Sequence, residues 1–226
     1  MTKVVADRYG ARAKLVDSAE HGGAAELFVV EGDSAAAAVV RVRDPRCQAV
    51  LPMQGKPLNA ARVSRAKVFE HPFFGPLAAA LDTGCESLCD PRRGRYGRVL
   101  VLTDPDADGI HCGCLVLLFL HRFMRPLLDT GRVQLVRPPW GEVVADGELV
   151  HAFSEPELAA LADRHRERDA VSVRRYRGLA SLDADLIREA CVDPHSRRTV
   201  GVSAADVAAM IEVIDALGPE PPHADA

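Results

Sequence analysis

No stretch of this chain approaches the roughly 18 to 20 uncharged apolar residues that a membrane span requires, and residues 1–10 lack the apolar core of a signal peptide. The expected location is cytoplasmic, with no membrane partner. The six cysteines (Cys47, Cys85, Cys89, Cys112, Cys114, Cys191) lack the spacing of a zinc ribbon or of a secreted disulfide framework. Their two close pairs are CxxxC and CxC, so reduced structural thiols are expected. Lysine is scarce, 4 against 24 arginines, which reads as coding bias rather than as selection for guanidinium chemistry. A P-loop pattern is absent, so ATP is not expected to bind this chain itself. There is no internal repeat of fixed period and no long low-complexity segment.

What is present is enough for a real core: 226 residues, 48% of them hydrophobic, suit one large domain or two small ones. Charge is unevenly spread. Residues 1–140 carry 19 basic against 15 acidic side chains, whereas 141–226 carry 9 against 17. A cationic front suits phosphate neutralisation, but a solvated surface with a mild imbalance gives the same numbers.

Along the chain, residues 1–25 read as an entry segment. Glu26–Val30 has the length and apolarity of a strand, Glu31-Gly32-Asp33-Ser34 stops it, and the alanine-rich Ala35–Arg41 favours a helix. A second strand is expected at Gln48–Leu51, then a turn through Pro52–Pro57, and a helix after Pro72. Arg98–Thr103 repeats the strand pattern and ends in Asp104-Pro105-Asp106-Ala107-Asp108-Gly109. Helical spacing runs from Ile110 to Leu128, and Arg132–Val136 is another strand. Strands alternating with helices predict an α/β domain over 26–140 with a mainly parallel sheet, its functional residues at the carboxyl ends of strands. Residues 141–217 read as a smaller α+β tail region: a hairpin at Gly141–His151, a helix at Glu155–Arg168, a strand at Ser172–Tyr176, and helices at Leu182–Ala190 and Ala204–Leu217. The proline- and acid-rich 218–226 is expected to be disordered.

Three aspartates at alternate positions of one irregular turn aim several carboxylates at one point and repel one another unless a cation lies between them. Mg²⁺ suits such a turn, since it takes one or two carboxylates together with water and substrate phosphate. Asp104-x-Asp106-x-Asp108-Gly109 also copies the first six positions of an EF-hand. That loop needs a glutamate at its twelfth position, here Leu115, and a helix where this sequence has a strand, which excludes it. Glu31, at the end of a neighbouring strand, adds an acid able to move a proton. Asp33 or Ser34 would serve equally well as an ordinary helix N-cap.

Glu31-Gly32-Asp33-Ser34-Ala35, then Leu51-Pro52-Met53-Gln54-Gly55-Lys56-Pro57-Leu58-Asn59, then Thr103-Asp104-Pro105-Asp106-Ala107-Asp108-Gly109-Ile110-His111 resemble, in order and spacing, the Toprim motifs of the B subunits of bacterial type IIA DNA topoisomerases, gyrase and topoisomerase IV. The likeness continues through Met124–Leu127, Gly131–Val133, Pro138-Pro139, Arg175-Tyr176-Arg177-Gly178-Leu179 and Asp193–Arg198, nearly the whole chain. The resemblance implies a Toprim fold, a Rossmann-like and mainly parallel sheet flanked by helices, without the ATPase and transducer domains of such a protein. It implies two Mg²⁺ ions held by Glu31, Asp104 and Asp106 with help from Asp108, and Glu31 as general acid or base for the 3′ hydroxyl of the cut strand. Lys56 and Arg177 would contact the DNA backbone, with Asp33 behind the ligands and His111 either behind them or simply a helix-start residue. The implied partners are double-stranded DNA, an A-type subunit supplying the nucleophilic tyrosine, and a separate ATPase chain. Tyr9, Tyr96 and Tyr176 do not fit as nucleophiles, so the chain is not expected to cut DNA alone.

Several positions depart from the family pattern. Ala36 and Ala37 stand for glycines, Gln54 for a basic residue, Gly113 for an arginine, and Gly178-Leu179-Ala180-Ser181-Leu182 for Gly-Leu-Gly-Glu-Met. The carboxylates survive while cationic contacts are lost. A paralogue that binds DNA or an A-type subunit as a regulator is therefore the alternative.

Overall fold

The computed structural model describes residues 14–166 and 171–217. The predicted disorder of 218–226, the end of the helix predicted to reach Arg168, and Tyr9 lie outside the described residues.

The first half is a β-α alternation. Strand β1 (Gly22–Val30) leads to helix α1 (Gly32–Val42) and strand β2 (Gln48–Pro52). Helices α2 (Arg65–Glu70) and α3 (Phe74–Leu81) precede β3 (Tyr96–Leu102), which feeds α4 (Ala107–Phe123), α5 (Arg125–Asp129) and β4 (Val133–Val136). The second half opens with β5 (Gly141–Ala145), β6 (Glu148–Ala152), α6 (Glu155–Arg164) and β7 (Ser172–Arg175). It closes with α7 (Ala184–Ile187), β8 (Thr199–Gly201) and α8 (Ala204–Leu217).

Five strands form one sheet in the order β2-β1-β3-β4-β8, with the first four parallel and β8 antiparallel to β4. The continuous apolar runs of β1 and β3 follow from burial on both faces. Leu27 and Val29 of β1, with Val99 and Val101 of β3, point into a core built with α3, α4 and α8. Phe28, Val30, Leu100 and Leu102 point the other way, against α1 and α7. Helix α4 is locked to its layer by Phe119, stacked on Phe74 at 4.5 Å between ring centroids. Truncating a buried phenylalanine of this kind costs about 3–5 kcal/mol. The rigid helix fixes the acidic turn at its N-terminus. The other sheet, β6-β5-β7, is antiparallel throughout and is covered by Leu158 and Leu161 of α6.

Four local expectations change. The predicted helix from Ile110 to Leu128 is two helices: the backbone turns at Met124 (φ −139, ψ 34), because Pro126 has no N–H to continue the ladder. The predicted helix 182–190 is the short α7 running into a wide π turn, Arg188–Val192. Strand β1 starts at Gly22 rather than Glu26, reaching into the expected entry segment. Strand β8, three exposed residues, was not expected at all. No described helix is long and apolar enough to cross a membrane.

Candidate metal centre

Strand register assembles the site. Val30 of β1 lies beside both Leu102 of β3 and Pro52 of β2, so the segments that follow all leave the same carboxyl edge. These are Glu31, the Met53–Lys56 loop and the turn beginning at Asp104. Ligand sites of parallel α/β sheets gather at such edges.

Glu31 occupies the N-cap position of α1, yet its side chain makes no capping bond. The helix starts at Gly32, so Asp33 lies in its first turn, and neither Asp33 nor Ser34 is the cap. Glu31 Oε2 is buried without a hydrogen-bond partner. Burial, reinforced by the charges of Asp104, Asp106 and Asp108, pushes the Glu31 carboxyl above the ordinary glutamate value, and the Asp104 backbone amide only partly opposes this. Cys112 Sγ lies 3.8 Å from Glu31 Oε1. Its thiol is pushed up to about 11 by its own burial and by the Glu31 charge, so it stays protonated.

Asp104 is also raised, by burial first and by Asp106 to a lesser degree, against the lowering effect of the Leu179 N–H, which donates to Asp104 Oδ1 at 2.8 Å. Asp106 caps α4, its Oδ1 accepting from the Gly109 N–H at 2.8 Å. Gly109 is required by close approach: a Cβ there would lie 2.2 Å from the Asp104 carbonyl oxygen. Asp108 pairs with Lys56, which holds its carboxyl below the ordinary value, with a smaller contribution from His111. Both members of the pair are exposed, so the bridge contributes little stability and is free to exchange partners.

The remaining expected residues surround this centre. Asp33 is paired with Lys14 and approached by Gln54 at 3.5 Å, so the polar residue at the usual basic position contacts an acid of the same edge. The Lys56 loop is tied to α4 by Arg122, which donates to the Ala60 and Val63 carbonyls. Arg177 is exposed and His111 sits exposed on the first turns of α4. Sequence reasoning missed the contacts of Lys14, Cys112 and Leu179. Only Leu179 carried a signal, through its place in the Arg175–Leu179 motif.

Among the described residues, no group of three or more His, Cys, Asp and Glu side chains is arranged to hold a metal ion. Mg²⁺ does not need such a group, since it keeps several waters and takes one or two carboxylates with substrate phosphate. The orphaned Glu31 Oε2, and the Glu31 and Asp104 carboxyls, both raised by burial first and by neighbouring carboxylate charge to a lesser degree, have the donor chemistry that suits a hard divalent cation completed by water and phosphate, with Asp106 beside them. The two described tyrosines fit no nucleophilic role. Tyr96 is buried with its hydroxyl on Asp17, Tyr176 is buried with its hydroxyl on Glu142, and both are pushed well above the ordinary phenol value, chiefly by burial.

Residues 26–138 match the family model of the Toprim domain. The DNA gyrase B protein of Thermotoga maritima is 34% identical over 194 residues, 85% of this chain and 30% of that protein. The gyrase B proteins of Metamycoplasma hominis (32% over 196 residues, 86% and 30%) and Halalkalibacterium halodurans (31% over 205 residues, 90% and 32%) are similar to the same extent. The chain thus spans about a third of the length of these curated relatives.

Proposed function

This chain belongs to the Toprim family, and from that premise we propose that it is the Mg²⁺-dependent DNA cleavage and religation component of a type IIA topoisomerase, working with an A-type subunit that supplies the tyrosine. The observation that carries this reading is the orphaned, charge-crowded Glu31 carboxyl beside Asp104 and Asp106 at the ends of two adjacent parallel strands.

Glu31 is the proton carrier. In this reading its carboxyl protonates the departing 3′ oxygen and takes the proton back when the strand is resealed. Asp104 and Asp106, held by the Leu179 and Gly109 amides, present oxygen donors to the cations. Glu31, Asp104 and Asp106 would hold Mg²⁺, two ions in this reading, whose chemistry would be to neutralise charge on the reacting phosphate. Lys56 and Arg177, both exposed, contact the DNA backbone without reading its sequence. Double-stranded DNA and the A-type subunit are the partners, and ATP is handled by another domain or chain.

A second reading, a regulator that binds DNA or the A-type subunit without turnover, is favoured by Gln54 and Gly113, which remove two cationic contacts. One experiment separates the two. The protein is mixed with an A-type subunit, supercoiled plasmid and Mg²⁺, and covalent protein–DNA complexes are trapped with denaturant. The enzyme reading expects trapped complexes that disappear in Glu31→Gln and Asp106→Ala. Binding that survives both substitutions, with no complex trapped in any variant, establishes the regulator instead.

A further inference from the structure

We infer that Gly178 and Leu179, which follow the small sheet, form a positioning cradle that fixes the Asp104 carboxylate in the orientation it uses toward a divalent cation. The inference rests on the metal-centre reading above and extends that site into the second half of the chain.

Three observations converge on the Asp104 side chain. The Leu179 N–H donates to Oδ1 at 2.8 Å, from 75 residues away in sequence. The Gly178 backbone packs directly on the carboxyl: a Cβ at that position would lie 2.5 Å from Oδ2 and 2.9 Å from Cγ. Gly178 also holds φ +153, a conformation side chains rarely adopt, so close approach and backbone shape both demand glycine. The carboxylate has a backbone donor on one oxygen and a backbone wall against the other.

The cradle is held independently of Asp104. Ser181 grips the Gly178 carbonyl twice, through its Oγ at 2.6 Å and its N–H at 3.0 Å. The Leu179 side chain is buried in the same core as Val30 and Leu102, the residues at the ends of the two strands that carry the acids. On the other side Tyr176 is pinned to the small sheet, its N–H donating to the Trp140 carbonyl at 3.0 Å and its hydroxyl engaged with Glu142. Ser181 stands where the family pattern has glutamate, and it closes the turn from within. Partners of this type, which orient a ligating carboxylate through a hydrogen bond, typically change metal affinity by about 10- to 100-fold when removed.

The test is a Mn²⁺ titration of the full chain, free ion being read by electron paramagnetic resonance, alongside thermal melting. Gly178→Ala is expected to melt as a folded protein but to bind Mn²⁺ about tenfold or more weakly. Ser181→Ala, which keeps one of the two bonds, is expected to lose about threefold. Gly147→Ala, at φ +80 in the β5–β6 turn with open space around it, controls for backbone strain and should bind as wild type does. In metal-free protein the Leu179 amide should exchange slowly with solvent, and about tenfold faster in Asp104→Ala. A folded Gly178→Ala that binds Mn²⁺ normally overturns the cradle and leaves the metal centre standing. If Gly178→Ala fails to fold, normal Mn²⁺ affinity in Ser181→Ala or unchanged Leu179 exchange in Asp104→Ala overturns it. Wild-type protein that binds no Mn²⁺, or Asp104→Asn that binds as tightly as wild type, removes the metal centre and the cradle with it.

Discussion

Glu26 and Glu31 lie at the two ends of the buried stretch of one strand and live in opposite environments. Glu26 is almost wholly buried and is saturated with partners: Arg197 through both oxygens, Gln48 at 2.9 Å and Arg98 at 3.2 Å. Burial alone would raise its carboxyl, but these partners, Arg197 foremost, outweigh it and hold the group below its ordinary value. Glu31, less buried, has an oxygen with no partner and three acids for neighbours, and is raised. The same pattern divides the aspartates: Asp17, near the Glu26 end, is lowered because Tyr96, His21 and Arg95 overcome its burial, whereas Asp104 is raised. Native structures seldom leave a carboxylate unpaired next to other carboxylates without a use for it. One end of the sheet is built for stability and the other is left electrostatically unsettled.

That contrast can be broken most strongly at its stable end. Glu26→Ala strands the nearly buried Arg197 guanidinium and should lower unfolding stability by about 3–5 kcal/mol, read from a urea midpoint, with no effect specific to metal. The next largest effect belongs to the unsettled end: Mg²⁺ or Mn²⁺ at 100 times its dissociation constant should stabilise the folded protein by about 2.7 kcal/mol, and this gain should vanish in Glu31→Gln and Asp104→Asn. Without metal, Glu31→Gln should stabilise the protein at neutral pH by less than about 1 kcal/mol, since the group is partly solvated and its repulsions are screened.

The pH dependence of stability sharpens the same comparison. Glu31 and Asp104 bind a proton more tightly folded than unfolded. Their contribution is complete below the ordinary values of 4.5 and 3.8 and is lost as pH rises through the folded values. Glu26 behaves in the opposite sense, contributing fully above 4.5 and losing its contribution as pH falls through the lowered value. Glu31→Gln should therefore flatten the decline above 4.5, and Glu26→Gln the acid limb. The smallest expected effect tests the eroded contacts. Gly113 has room for a Cβ, its nearest neighbour being Thr103 Oγ1 at 3.7 Å, so Gly113→Arg should steepen the salt dependence of DNA binding by about one unit of slope.

The strand–turn–helix units at Glu31 and Asp104 were legible because local signals coincide there: an apolar run, an abrupt acidic turn, and helical spacing afterwards. The main sheet and the convergence of three motifs on one edge followed from that alternation. Strand β8 was not legible, since Thr199-Val200-Gly201 is exposed on every residue and exists only through pairing with β4. The break at Met124 was signalled by Pro126 but masked by continuous apolar periodicity. At the site, residue types could be read from sequence while their pairings could not. The capture of Asp108 by Lys56, the grip of Arg197 on Glu26 and the approach of Gly178 to Asp104 all join segments distant in sequence. Only tertiary structure decides which carboxylate is left without a partner.

The most direct test of the unsettled edge is anomalous scattering from crystals grown with Mn²⁺. A peak is expected beside Glu31, Asp104 and Asp106 at carboxylate ligand distance, about 2.1 Å, and it should be lost in Glu31→Gln. Mn²⁺ bound elsewhere on the protein with this edge empty, or a peak unchanged in Glu31→Gln, would contradict a cation site built on these three acids.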